Sequence, residues 1–203
     1  MPRDVKGTAG YADEAADLLV RYESFDFEEA HAAVLDLLPA APGDVLDVGS
    51  GTGRDAAYLT AKGNRGVAVE PTAALRKAAA ELHPSAAIEW VDDALPTLDS
   101  IAGRSTRFDL ILMSAVWMHL ETQERRRAMP VIASLLAPGG TVVMTLRHWP
   151  VPVGRRMFAV TGTETVTLAE AAGLAALRNR HAESRRAENR RAGVSWTTLV
   201  FRR

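Results

Sequence analysis

Residues 47–53, with the sequence DVGSGTG, have the types and spacing that most clearly predict ligand binding. The glycines at 49, 51 and 53 follow a short apolar run, and because glycine has no side chain, the backbone of such a turn can approach a ligand closely. A dinucleotide fingerprint, G-x-G-x-x-G, would need glycine at position 54, where the chain has Arg54. The loop therefore predicts a small polar ligand other than a dinucleotide, with an ordinary strand-to-helix turn as the alternative.

Acidic residues follow the next two apolar runs. Glu70 lies 17 residues after Gly53, where a carboxylate can accept both hydroxyls of a ribose. Residues 92–96 (DDALP) follow a third run, where a carboxylate can take the exocyclic amine of adenine and a backbone amide can face the ring. Each acid alone could be a solvated loop residue. The glycine loop and the two acidic positions together mark three successive strand ends, and this favours a bound nucleoside.

The elements that position these residues alternate between apolar runs and amphipathic helical patterns. This alternation predicts a parallel sheet with helices on both faces, preceded by two helices in the first forty residues. The last two strands, near residues 174–180 and 195–201, are closely spaced and predict an antiparallel edge, with 183–193 as an exposed arginine-rich loop. Pro130 either kinks the helix around residues 128–136 or marks its start.

On these motifs the sequence resembles the class I S-adenosylmethionine-dependent methyltransferases, closely over residues 45–146. The matching segments are 45–53, Glu70, Asp93 with Ala94, 108–120, and 135–145 with its Pro-Gly-Gly turn. The resemblance implies an α/β, Rossmann-like three-layer sandwich with a mostly parallel seven-stranded sheet whose last strand is antiparallel. It also implies S-adenosylmethionine as cofactor and S-adenosylhomocysteine as product.

Carried over residue by residue, the resemblance places Gly49 and Gly51 against the cofactor, Glu70 on the ribose, and Asp93 with Ala94 on the adenine. The backbone around Ser114 and Ala115 would face the methionine end. Aromatic side chains before the first strand could cover the cofactor, and Arg54 could reach its carboxylate. The predicted cofactor-binding residues are Tyr11, Tyr22, Gly49, Ser50, Gly51, Gly53, Arg54, Glu70, Pro71, Asp92, Asp93, Ala94, Leu95, Ser114 and Ala115.

His119 is the predicted catalytic residue. Methyl transfer from a sulfonium is a direct displacement that depends mainly on alignment and exclusion of water, and a base is needed only if the acceptor must lose a proton early. His119 follows the strand that should border the methyl group, and an imidazole can act as a base near neutral pH. The alternative is a histidine that hydrogen-bonds a loop or closes the cofactor cavity.

A run of cationic and aromatic residues follows the fifth predicted strand, where ligands bind in such sheets. Arginine can bind a carboxylate or phosphate bidentately and tryptophan offers a flat apolar wall, so an acidic acceptor could bind here. Surface ion pairs and loop packing are the alternatives. The predicted substrate-binding residues are Trp117, His119, Arg147, His148 and Trp149.

Length and composition limit the remaining possibilities. The 203 residues fit one domain, with 1–42 as a helical lid and 43–203 as the cofactor-binding core, and the net charge of -1 attracts neither nucleic acid nor a membrane. There is no cysteine, which excludes thiolate nucleophiles and cysteine metal sites, and no acidic constellation predicts a metal site. The start of the chain lacks a secretion-signal pattern and no stretch is long and apolar enough to span a membrane, so we expect a cytoplasmic protein.

Three functions are compatible with these features. The first is methyl transfer to an oxygen or nitrogen of a small molecule, which could be acidic. The second is methylation of RNA or another nucleic acid, for which the arginine clusters could supply phosphate contacts, although acidic neighbours dilute them. The third is a non-catalytic S-adenosylmethionine-binding partner protein. The oligomeric state is left open.

Overall fold

A seven-stranded sheet forms the centre of the computed structural model, which describes residues 5–203. The first four residues, where the predicted lid begins and where the secretion-signal pattern is missing, lie outside the described residues. The strand order is β3-β2-β1-β4-β5-β7-β6. The strands are β1 (Asp44–Val48), β2 (Arg65–Val69), β3 (Ile88–Val91), β4 (Phe108–Ser114), β5 (Leu136–Arg147), β6 (Ala175–Glu183) and β7 (Ser195–Arg202).

Eight helices surround this sheet in the described part of the chain. Two of them precede the first strand, as predicted, although the second is only five residues long. The helices are α1 (Ala15–Glu23), α2 (Phe27–His31), α3 (Arg54–Ala61), α4 (Ala73–Leu82), α5 (Asp99–Ala102), α6 (Thr122–Leu135), α7 (Gly162–Ala171) and α8 (Ala187–Arg191).

The parallel register of the first five strands brings the predicted ligand residues to one edge of the sheet. Val48 pairs with Val69, and Val69 pairs with Val91, so these three strands end level with one another. The residue that follows each strand therefore emerges at the same edge. This is why groups more than forty residues apart in sequence, from the glycine loop to Asp93, border one space.

The other end of the sheet is antiparallel, as the sequence predicts. Strand β7 lies between β5 and β6 and runs antiparallel to both. Strand β6 thus lies at this edge of the sheet, and within residues 5–203 its only sheet partner is β7. The Rossmann-like three-layer arrangement implied by the resemblance is confirmed.

Strand β4, the middle strand of the sheet, lies in the hydrophobic core. Residues 110–113 are each 1% exposed or less, because helices cover both faces of the sheet. Each such aliphatic side chain contributes about 1.5–3 kcal/mol through its burial. This rigid centre holds the strand ends that border the ligand space.

Two details differ from the sequence prediction. Helix α6 begins at Thr122, where Glu121 and Glu124 form a capping box, so Pro130 lies inside the helix and does not mark its start. The arginine-rich segment 183–193 is not simply an exposed loop, because it contains α8 and the buried residue Ser184. Its side chains are also held by the N-terminal helices, an interaction that periodicity along the sequence cannot reveal.

No helix within residues 5–203 is long and apolar enough to cross a membrane.

Candidate functional site

A cavity of about 780 Å³ lies at the carboxyl edge of the parallel strands. This size is within the range of small-molecule and cofactor sites in proteins. It is bounded by the glycine loop, the N-terminal segment with α1, and the outer strands β5, β6 and β7. The predicted site residues that line it are Tyr11, Tyr22, Gly49, Ser50, Gly51, Arg54, Glu70, Pro71, Asp93, Ala94, Leu95, Ser114, Ala115, His119 and Arg147.

The glycine loop requires glycine for two separate reasons. Gly49 has a φ of 70° and a Cβ there would lie 2.5 Å from the Val116 side chain, so it is required by packing. Gly51 has a φ of 58°, but a Cβ there would have no atom closer than 3.8 Å and would project toward Tyr22. The space beside Gly51 is therefore open to a ligand. Gly53 caps α3 in the left-handed conformation, and a Cβ there would collide with Trp90 outside the cavity lining.

Glu70 lies one residue past β2 and is 5% exposed. Its carboxylate accepts backbone N–H groups from Gly51 at 2.9 Å and Thr72 at 2.8 Å. Burial raises the pKa of Glu70, and these two hydrogen bonds oppose that increase. The carboxylate is thus fixed in orientation at the edge of the cavity, with lone pairs still available to hydroxyl donors.

The two acids after β3 face different surroundings. Asp93 is fully buried and accepts backbone N–H groups from Ala94 at 2.8 Å and Ser100 at 2.6 Å, and it lines the cavity. Asp92 instead pairs with Arg76 at 2.9 Å and is not among the lining residues. Of the two, the geometry brings Asp93 to the predicted adenine end.

A cluster of charged residues around buried Asp55 lies next to the glycine loop. Asp55 bonds His31 at 2.7 Å and Arg54 at 2.6 Å. Burial alone would raise the pKa of Asp55, but the charges and hydrogen bonds of His31 and Arg54 lower it to about 2. Arg54 also donates to the Tyr22 carbonyl oxygen at 3.0 Å, so much of its guanidinium is already engaged.

Oδ2 of Asp47 and Oγ of Ser50 are buried polar atoms with no hydrogen-bond partner within the described chain, and so are Nδ1 of His31 and Oγ1 of Thr72. All four residues line the cavity. Burial, followed by the charge of Asp55, raises the pKa of Asp47. Because unpaired buried polar atoms are costly, their presence fits a ligand with polar groups at this end, such as the amino-acid part of S-adenosylmethionine.

Ala115 directly follows β4 and lines the cavity. Its φ is 57°, a conformation that non-glycine residues adopt at a cost. Its N–H is held by both the carbonyl and the hydroxyl oxygen of Thr145, at 3.1 and 3.0 Å. Backbone strain maintained in this way concentrates at functional sites, and here it lies where the resemblance puts the methionine end.

His119 and Tyr11 form a pair at the cavity wall. The Nδ1 atom of His119 lies 2.6 Å from the Arg156 carbonyl oxygen, which can only accept, so Nδ1 carries the proton. In the neutral ring, Nε2 is then free to accept the Tyr11 hydroxyl at 3.0 Å. Burial, with the charges of Arg155 and Arg156, lowers the pKa of His119, which favours this neutral form.

Tyr11 is held in place by a cation. The Arg155 guanidinium lies 3.8 Å from the centre of the Tyr11 ring and pairs with Glu14 at 2.8 Å. Burial, followed by the charge of Tyr22, raises the pKa of the Tyr11 hydroxyl, which therefore stays protonated and can donate to His119.

Three predicted substrate residues lie away from the main cavity. Trp117 is fully buried in the core and is not among the lining residues. His148 and Trp149 line a second cavity, of about 440 Å³, where the His148 ring bonds the Thr197 hydroxyl at 2.8 Å. Arg147 lines both cavities.

Several cavity residues were missed by the sequence analysis. Arg21 in α1, Arg180 in β6, and Trp196 with Thr198 in β7 all line the main cavity. The alternation of Trp196 and Thr198 along β7 was the available signal, because side chains two residues apart share a face of a strand. Within residues 5–203, there is no group of three or more side chains suited to a metal ion.

A family model described as a methyltransferase domain matches residues 22–189 of the chain. No curated protein matches the sequence.

Solved structures of methyltransferases share the fold. The N-methyltransferase NodS from Bradyrhizobium japonicum WM9, in complex with S-adenosylhomocysteine, is 19% identical, with 94% of this chain and 97% of that chain covered and a TM-score of 0.69. The 1,6-didemethyltoxoflavin-N1-methyltransferase of Burkholderia thailandensis, with 1,6-didemethyltoxoflavin and S-adenosylhomocysteine bound, is 22% identical, with 100% and 93% covered and a TM-score of 0.66. An S-adenosylmethionine-dependent methyltransferase from Mesorhizobium loti is 18% identical, with 86% and 98% covered and a TM-score of 0.68.

Proposed function

Since the chain belongs to the methyltransferase domain family and has S-adenosylmethionine as its cofactor, we propose that it methylates a nitrogen or oxygen of a small molecule. The observation that carries the proposal is the Tyr11–His119 pair at the wall of the main cavity, with an unprotonated ring nitrogen behind a hydroxyl. A hydroxyl, or a nitrogen that carries a hydrogen, loses a proton on methylation, and this pair can take it.

We assign the inner part of the cavity to the cofactor. Glu70 would accept the ribose hydroxyls, Asp93 with the Ala94 amide would bind adenine, and the unpartnered atoms of Asp47 and Ser50 would meet the polar amino-acid end. When bound, the cofactor supplies a methyl group activated by its positively charged sulfur. The helices of residues 5–42 would act as a lid, because Tyr11 and Tyr22 cover the cavity from that side.

The acceptor would occupy the space between this inner part and the outer strands. There it would receive the methyl group that the bound cofactor supplies. The acceptor proton passes to the Tyr11 oxygen as Tyr11 gives its own proton to Nε2 of His119. His119 ends as an imidazolium, and Tyr11 is again neutral.

A small acceptor is supported by the form of the site. The cavity is bounded by the N-terminal helices on one side and by the β6–α8–β7 segment on the other, which leaves room for the cofactor and one modest ligand. Two fold relatives are named as N-methyltransferases, one with its small heterocyclic substrate bound. These relatives provide precedents for the proposed reaction.

The test is incubation of the protein with a metabolite extract and S-adenosylmethionine carrying an isotopically labelled methyl group, followed by mass spectrometry. We expect a labelled small molecule that appears with the native chain and with His148→Gln, since His148 lies outside the main cavity. His119→Gln should form it roughly 100-fold more slowly. Cofactor binding without any labelled small molecule would contradict the proposal, and label in RNA would favour the nucleic-acid alternative.

A further inference from the structure

Four arginines, Arg21, Arg147, Arg180 and Arg185, line the main cavity without a carboxylate partner in the described chain. Other arginines of the same cavity do make an ion pair. The paired ones are Arg54 with Asp55, Arg155 with Glu14, and Arg186 with Glu188. Of the four unpaired arginines, Arg185 donates to the Glu29 carbonyl oxygen at 3.2 Å, and the other three are cations that the fold leaves without a carboxylate.

Two of these cations affect each other directly. Burial, and next the charge of Arg21, lowers the pKa of Arg147. Among the described residues, Arg147 donates a hydrogen bond only to the Pro150 carbonyl oxygen, out of five available N–H groups. Like charges that share a partly desolvated cavity repel each other, and an anion between them removes that repulsion.

The third arginine extends the same surface along the outer strands. Arg147 pairs with Trp196 in the β5–β7 register, and Arg180 pairs with Thr198 in the β6–β7 register. Directly opposed residues point to the same face of a sheet, and so do residues two apart on one strand. Arg147, Trp196, Thr198 and Arg180 therefore form one continuous floor.

The acids of the cavity do not neutralise this floor. Asp47, Asp55 and Glu70 lie beside the glycine loop, and Glu14 is already paired with Arg155. Glu29 and Glu183 also line the cavity, but within the described chain neither makes an ion pair with Arg21, Arg147 or Arg180. The whole chain has a net charge of -1, so the positive floor is a local feature and not a consequence of overall charge.

We propose that the methyl acceptor carries a carboxylate or comparable oxyanion, which binds between Arg21 and Arg147, with Arg180 at the outer edge and Trp196 against its flat apolar part. This inference rests on the proposed function, because it assigns the floor to the acceptor and not to the cofactor. Tyr11 and Tyr22 lie near both Arg21 and Arg147, so the reacting nitrogen or oxygen would face the Tyr11–His119 pair. Arginine forks suit this role because they bind carboxylates bidentately.

The test uses benzoate as the probe and benzamide as its neutral match. Each is titrated calorimetrically into the native chain, with and without saturating S-adenosylhomocysteine. We expect benzoate to bind at least roughly tenfold more tightly than benzamide, since a hydrogen-bonded charge pair is worth about one to two powers of ten. Arg147→Gln and Arg21→Gln should each remove most of this preference. Arg127→Gln, on the exposed face of α6, should leave it unchanged.

Equal affinity for benzoate and benzamide would overturn the inference, and so would a preference that survives both cavity substitutions. Retained affinity of Arg147→Gln for S-adenosylhomocysteine shows that this variant is folded. If Arg147→Gln does not fold, Arg21→Gln serves as the second variant, because Arg21 lies at an exposed position of α1. The two proposals fail in different ways. Loss of cofactor binding in the native chain would contradict the proposed function, whereas the benzoate titration without cofactor still reports on the anion site.

Discussion

The main cavity has an inner half beside the glycine loop and an outer half beside β5, β6 and β7. The two halves differ in how the charges of their side chains are compensated. In the inner half, three acids are already held by the protein: Glu70 accepts two backbone N–H groups, Asp93 accepts two, and Asp55 has a histidine and an arginine. In the outer half, Arg21, Arg147 and Arg180 have no carboxylate partner within the described chain. The inner half is therefore rigid and organised before a ligand binds, whereas the outer half depends on a ligand to balance its charge.

The largest expected effect comes from breaking the charge cluster under the inner half. His31→Ala removes the 2.7 Å partner of buried Asp55, and we expect a loss of about 3 kcal/mol in the free energy of unfolding. Urea unfolding measures it, with His181→Ala on the exposed edge strand as the control. Because the pKa of Asp55 in the folded state, about 2, lies below its usual 3.8, this stabilisation is complete above that usual value and is lost as pH falls through 2. A change below 1 kcal/mol would show that the cluster does not stabilise the inner half.

Glu70→Gln tests whether the inner half binds the cofactor's ribose. The variant loses the charge that accepts hydroxyl donors, and we expect S-adenosylmethionine affinity to fall roughly tenfold or more. Calorimetry measures it. Glu89→Gln is the matched control, since Glu89 pairs with Arg104 on the surface. Equal affinities of the two variants would make Glu70 a support of the Gly51 turn only.

The pH dependence of kcat/KM tests whether His119 accepts a proton during the reaction. Since burial lowers the pKa of His119, the ring is neutral at pH 7, and protonation at lower pH removes the proton acceptor. We expect a constant value near neutrality and a fall of about tenfold per pH unit below an inflection that lies under 6.5. An identical profile in His119→Gln would rule out His119 as the titrating group.

The smallest effect concerns the contact that ties the outer half to the N-terminal helices. Arg178 in β6 bonds Asp36 at 2.9 Å and the Ala33 carbonyl oxygen. Because this pair is exposed, Arg178→Gln should lower the midpoint of thermal unfolding by less than about 3 °C. Thermal unfolding checks this, with Arg191→Gln in α8 as the control. A larger decrease would mean that the two ends of the chain stabilise each other more strongly than a surface ion pair allows.

The fold and the inner half could be predicted from sequence because their rules are local. Glu70 and Asp93 each follow a strand by one or two residues, and parallel strands deliver such residues to one edge. The outer half joins residues far apart in sequence, such as Arg21 and Arg147, and no periodicity reports that proximity. His148 was assigned together with Arg147, but neighbouring side chains at a strand end point to opposite faces, which places His148 in the second cavity.

The position of β7 between β5 and β6 has a consequence for the order of assembly. Strand β6 is synthesised before β7, yet in the described part of the chain β7 is its only partner in the sheet. A nascent chain that ends before residue 195 can pair β1 to β5, but it leaves the backbone hydrogen-bonding groups of β6 without a neighbour. The floor made by Arg147, Trp196, Thr198 and Arg180 is therefore completed last during synthesis, after the strands that carry the glycine loop and Glu70.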